Sequence, residues 1–154
     1  MLKLNNVKQT TQSGFALIGV LLIVVIIAIL AGMAIIAINP NKQLADSHNS
    51  QRLADVTAIL NGVYQYSADN NSVPPTITTT ATEVCATGAA SCTGLADLST
   101  LTASTKYLAS IPKDPQCTTT CATNGTGYKI SKDANNRVTV VAPAAENKTI
   151  SVTR

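Results

Sequence analysis

SGFALIGVLLIVVIIAILAGMAIIAI, residues 13–38, decides how the rest of the chain is read. From Phe15 to Ile38 it holds no charged residue and no strongly polar one. At about 1.5 Å rise per residue this run makes a helix of roughly 36 Å, enough to cross a hydrocarbon core of about 30 Å with some tilt. Before it stands MLKLNNVKQTTQSG, residues 1–14, with Lys3 and Lys8 and no acid. A secretory signal peptide would have a shorter apolar region, about 7–15 residues, closed by a small-x-small cleavage site that this run lacks. A single-pass anchor satisfies both length and composition.

Working outward, 154 residues support one anchor and one small domain, with 116 residues beyond Ile38 to build it. The net charge of +3 is mild and leaves no nucleic-acid footprint. From Ser72 onward, seven Lys and Arg stand against five Asp and Glu, with no basic run. Positive charge before the apolar run and acids only after it place the N-terminus in the cytoplasm and the remainder outside. Tryptophan is absent and Phe15 is the one phenylalanine, so a core must come from Leu, Ile, Val, Ala and four tyrosines.

Asn39-Pro40 interrupts the apolar pattern where the bilayer should end. Proline costs a hydrogen bond inside a helix but is tolerated at a first helical position, with Asn39 as a possible N-cap. Gly32 is a second weak point. Between Lys42 and Asp69 the residues Leu53, Val56, Ile59, Leu60, Val63 and Tyr64 recur at helical steps, the stripe of a helix packed on one side. Asp46, Arg52, Asp55 and Gln65 are expected on its solvated face. Asp69-Asn70-Asn71-Ser72 and Pro74-Pro75 stop it.

Thr76 to Thr105 reads as loop, with one short helix hinted at by Leu95, Leu98 and Leu101. YLASIPKDP, residues 107–115, brings an apolar run into a proline-bracketed turn. Three strands are expected at Gly127–Ser131, Arg137–Ala142 and Thr149–Thr153, with residues 133–136 as the first turn. The fold class expected is α+β: a long hydrophobic-then-amphipathic N-terminal helix packed on a small antiparallel three-stranded sheet.

Four cysteines allow three pairings; proximity favours Cys85–Cys92 and Cys117–Cys121 in an oxidising exterior. Bridges over such short loops pin them locally. Zinc spacings such as C-x2-C are absent, so no metal or other cofactor is expected. No catalytic residue emerges, because no nucleophile stands in a G-x-S-x-G setting and His48, the one histidine, reads as a solvated or subunit-facing residue. Residues 70–72, 124–126 and 147–149 match the short N-glycosylation tripeptide.

A short basic leader ending in Gly14, then Phe15-Ala16-Leu17-Ile18 and an aliphatic run, resembles the type IV pilin and pseudopilin family. The resemblance implies a leader at 1–14 removed by a prepilin peptidase and N-methylation of Phe15. It implies a filament-core helix half at 15–38, an amphipathic half at 39–71 and a head at 72–154. The assembly helix would use Phe15, Leu17, Ile18, Gly19, Gly32 and Pro40, the family commonly having a helix breaker here, though its proline usually comes earlier. A Pro-x-Asp-Pro turn like the one at residues 112–115 is common in such heads. Asp114 invites comparison with calcium loops of some secretion pseudopilins, but one carboxylate is a poor hard-ion site and a turn role is expected.

Gly19 departs from the pattern: the family usually has a glutamate there, thought to pair with the terminal amine of a neighbouring subunit. Its absence speaks against a self-assembling major subunit. The function implied is a structural, non-enzymatic subunit of a type IV pilus or pilus-like filament. The alternatives are a minor or tip pseudopilin of a type II secretion-like system, and a membrane-anchored adhesive or DNA-binding head. Expected partners are the peptidase, copies of itself or related pilins, an inner-membrane assembly platform and, before assembly, the lipid bilayer. The protein would begin as a single-pass membrane protein and end in an extracellular, periplasmic or cell-surface filament.

Overall fold

A computed structural model describes residues 12–118 and 121–154. The leader expected at 1–14 lies outside the described residues as far as residue 11. Contacts divide the chain into two units, Met1–Gln43 and Leu44–Arg154.

The first unit is dominated by α1, Gln12–Ile38, 27 residues without a proline or a charge. Leu, Ile, Val and Ala hold it as one continuous helix once its backbone hydrogen bonds have no competition from water. It ends at Asn39, whose φ of 46° leaves the helical region. Pro40 is the first residue of α2. The Asn39 side-chain oxygen accepts the Lys42 N–H at 3.3 Å, and its carbonyl accepts the N–H groups of Lys42 and Gln43. Proline at the first helical position and asparagine as cap thus open α2 by the expected chemistry.

The second unit packs α2, Pro40–Asn70, on an antiparallel sheet. The sheet has four strands where the sequence reading expects three: β1 Thr82–Cys85, β2 Gly125–Lys132, β3 Val138–Ala142 and β4 Ile150–Thr153, in that order. The additional strand lies in the stretch read as loop. TEVC is too short and too polar to show a period, and it becomes a strand through pairing with β2, Thr82 opposite Ile130 and Glu83 opposite Lys129. A register shift before Cys85 shows how irregular that pairing is. The other three form a meander, with Ile130 opposite Val140 and Val140 opposite Val152. The turn between β2 and β3 is held by Asp133, which accepts the Asn135 and Arg137 N–H groups.

Between β1 and β2 the Leu-rich hint resolves into α3, Ser99–Thr102, followed by a 3-10 turn over Ala103–Thr105. The core joins Val56, Ile59, Leu60 and Val63 of α2 to Val84, Tyr128, Ile130, Val138, Val140 and Ile150 of the sheet, closed by Leu98 and Leu101. Burying each of these large side chains contributes about 1.5–3 kcal/mol. Gly62 faces Leu101 and Leu108, where a β-carbon would sit in ordinary contact, so the helix lies close to that loop. Leu53 and Tyr64, expected on the packed stripe, are about half exposed instead, at 49% and 55%. The true stripe lies one step round the helix.

Candidate functional site

Two features stand out chemically, one in each unit. The first is the surface of α1. Ala16–Met33 forms an 18-residue window long and apolar enough to cross a membrane, none of it buried within the chain. Leu17 and Ile18 are 73% and 66% exposed. Aliphatic side chains all round a helix have no solvated face to offer, so this helix belongs in lipid or among other helices. Gly14 and Phe15 lie within α1. A β-carbon added at Gly19 or Gly32 would meet nothing within 4 Å, so the chain by itself leaves both positions free for larger side chains.

The second is a charged centre beneath the third and fourth turns of α2. Arg52, expected on the solvated face, is fully buried. All five of its guanidinium N–H groups are used. Nε donates to Asp114 Oδ2 at 2.6 Å and Nη2 to Asp114 Oδ1 at 3.1 Å, a bidentate pair with both side chains fully buried. Nη2 also donates to Gln116 Oε1 at 2.6 Å, and Nη1 to Asn49 Oδ1 and Glu146 Oε1, both at 3.2 Å. A buried charge is tolerable only when satisfied in this way. The Asp114 hydrogen bond, against the cost of burial, raises the Arg52 guanidinium further above its ordinary value. Burial works to raise the Asp114 carboxyl, but Arg52 and the Gln116 N–H together hold it below its usual range. Asp114 therefore keeps its expected turn role, its Oδ1 accepting the Gln116 N–H at 2.8 Å, and adds a core ion pair that the sequence reading missed.

Glu146 closes the centre from the loop between β3 and β4. Its Oε1 also accepts from His48 Nδ1 at 2.9 Å, and its main chain is gripped by Asn49, which donates to its carbonyl at 2.7 Å and accepts its N–H at 3.0 Å. His48, expected as a solvated or subunit-facing residue, is half-buried against this carboxylate. The His48 hydrogen bond, with Arg52, holds the Glu146 carboxyl below its ordinary range. One turn along α2, burial raises Asp55 above its usual range despite the 2.6 Å hydrogen bond from the Tyr128 hydroxyl, and burial with that acceptor pushes Tyr128 well up.

The cysteines sit in loops flanking this sheet end, as the bridges Cys85–Cys92 and Cys117–Cys121. Glu83 of β1 steadies the second loop by accepting the N–H groups of Ala122 and Gly127. Gly127, at φ 84°, sits where a β-carbon would come within 2.8 Å of Cys121 Sγ and 2.9 Å of Asp114 Cβ. Only glycine suits that backbone and that space. Among the described residues, no group of three or more His, Cys, Asp or Glu is placed to hold a metal. An apolar groove lined by Leu60, Val63, Tyr64 and Val138 has a volume of about 180 Å³, below the roughly 300–1,000 Å³ of small-molecule sites.

The class this architecture defines is an α+β head with an apolar, charge-free N-terminal helix. Over 69 residues the chain is 35% identical to a type II secretion system core protein G of Aeromonas hydrophila and, equally, to one of Vibrio cholerae. The matches cover 45% of this chain and 47% and 46% of the two relatives, so the chain spans about half the length of the curated relatives it matches. No family model and no solved structure matches it.

Proposed function

We propose that this chain is a structural subunit of a type IV pilus-like filament, assembled through α1 and without catalytic activity. The observation that carries the reading is the charge-free helix exposed on every side and joined in sequence to a folded head. In lipid it spans the bilayer with its N-terminus in the cytoplasm and the head outside. In a filament it packs among the helices of copies or related subunits. Aliphatic packing replaces lipid contact, so the transfer costs little free energy. Prepilin peptidase cuts the Gly14–Phe15 bond, and an inner-membrane platform moves the mature subunit into the filament. Mass spectrometry of the assembled material is expected to show a mature N-terminus at methylated Phe15; an intact Met1 terminus sinks the proposal.

Within this reading, the names of the two relatives favour a secretion pseudopilin over a surface pilin. Gly19 is the residue to test. The open space around it admits a Gly19→Glu side chain without a clash inside the chain. A gain in filament yield from that variant marks the wild type as a subunit that needs another chain's carboxylate. Unchanged yield means that the core neutralises the Phe15 amine by other means.

A further inference from the structure

We infer that the Cys117–Cys121 bridge is a redox lock on the buried Arg52 centre, tying down the turn that carries the acceptors of three of its hydrogen bonds. Asp114 supplies two of these acceptors and Gln116 the third, through Oδ2 at 2.6 Å, Oδ1 at 3.1 Å and Oε1 at 2.6 Å. Both residues belong to one turn, in which the Cys117 N–H donates to the Asp114 carbonyl at 3.0 Å and the Gln116 N–H to Asp114 Oδ1 at 2.8 Å. The turn is anchored at its entry by the Asp114 N–H, which donates to the Thr126 carbonyl of β2 at 2.9 Å. At its exit stands Cys117, bonded to Cys121. Cys121 Sγ and Asp114 Cβ both lie over Gly127, 2.8 and 2.9 Å from where a β-carbon there would stand. The bridge therefore fixes the far end of the turn against the same point of β2 on which its near end rests.

Chain entropy alone ranks the two bridges the other way. Cys85–Cys92 spans a separation of 7 and Cys117–Cys121 one of 4, and closing the longer loop takes more freedom from the unfolded chain. Asn49, Asp114, Gln116 and Glu146, which accept from Arg52, all lie outside the longer loop. What the shorter loop adds is felt in the folded state. With the turn free to swing, Arg52 loses its bidentate partner, and a buried guanidinium short of acceptors is costly. Reduction by a dithiol breaks the S–S bond, adds two electrons and two protons to give two thiols, and leaves the reductant as a disulfide. A reducing compartment thus leaves the centre on an untied turn, and an oxidising one ties it. The lock is a property of the head and stands apart from the filament reading.

Thermal unfolding of the full chain in neutral detergent, taken through a double-mutant cycle, tests this. Cys117→Ala with Cys121→Ala is compared in the wild type and in Arg52→Met with Asp114→Leu, where neither charge of the pair remains. The loss of melting temperature caused by removing the bridge should shrink by about half or more in the second background. Cys85→Ala with Cys92→Ala should cost the same in both. An equal loss in both backgrounds for Cys117–Cys121, or an equally large coupling for Cys85–Cys92, overturns the lock. Should a variant lacking Cys117–Cys121 fail to fold, the Cys85→Ala, Cys92→Ala protein, whose remaining bridge is Cys117–Cys121, is treated with dithiothreitol and followed by NMR. Exchange of the Arg52 Nε–H should then quicken about tenfold more than that of the Val140 N–H in the core. Equal quickening at both, or none, overturns the lock.

Discussion

α1 and α2 are helices of similar length, 27 and 31 residues, that manage their side chains in opposite ways. In α1 every side chain from Ala16 to Met33 is apolar and none is buried within the chain. In α2 the largest fully buried side chain is an arginine. Apolar character alone therefore does not decide what lies inside. A greasy helix with no partner in its own chain waits for lipid or other helices, whereas a charge enters a core once all its hydrogen bonds are met. The first helix is specified by composition, the second by partners distant in sequence.

Substitutions at the two helices should differ most at Arg52. Arg52→Met leaves Asp114 buried without its counter-charge and is expected to cost about 3–5 kcal/mol, read as a shift in the denaturation midpoint of the head. Arg52→Met combined with Asp114→Leu should recover most of that loss, because the cost comes from the orphaned charge. Gly127→Ala, at the turn holding Asp114 beside the second disulfide, should cost about 2 kcal/mol or more through its positive φ and its crowding.

Acid should act next, and on this centre. The stability contributed by the low Asp114 carboxyl is present above its ordinary range, near pH 4, and is lost as pH falls through its folded value. Asp55 has the opposite sign, because its raised carboxyl takes up a proton more easily when folded. Asp55→Asn, which keeps an acceptor for Tyr128, should therefore make the acid loss steeper while leaving the head at least as stable at pH 7. Circular dichroism followed from pH 6 to 3 in both proteins checks the pair. At the small end, Leu21→Ala in α1 should leave the unfolding of the head unchanged within about 0.5 kcal/mol, since Leu21 is 68% exposed.

Much of this was legible from side-chain periods. Val56, Ile59, Leu60 and Val63 announce a packed helix face, and the three C-terminal strands alternate clearly enough to be found within two residues of their ends. β1 was illegible because four residues cannot display a period, and its strand state comes from β2, forty residues later in the chain. The polarity of Arg52 predicts a solvated position, yet it lies inside because every guanidinium N–H is satisfied there. A better signal was present in the spacing. Ala45, Asn49, Arg52, Val56, Ile59 and Val63 fall at steps of four and three, one unbroken stripe whose upper half is polar. Reading the stripe through its polar members would have placed both Asn49 and Arg52 inside. Their partners, Asp114 and Glu146, lie 62 and 94 positions from Arg52, and no local pattern names them.

The five-fold satisfaction of Arg52 also has a kinetic side. A guanidinium gives up its water only when replacements are at hand, and here they come from α2, the turn before β2 and the loop before β4. Closing such long chain segments is slow compared with forming a helix. The centre therefore assembles only when the whole sheet is in place, and its drying marks the end of folding rather than the beginning. Variants at Arg52 should accordingly speed unfolding and leave the folding rate nearly untouched. The head would then be slow to open once complete.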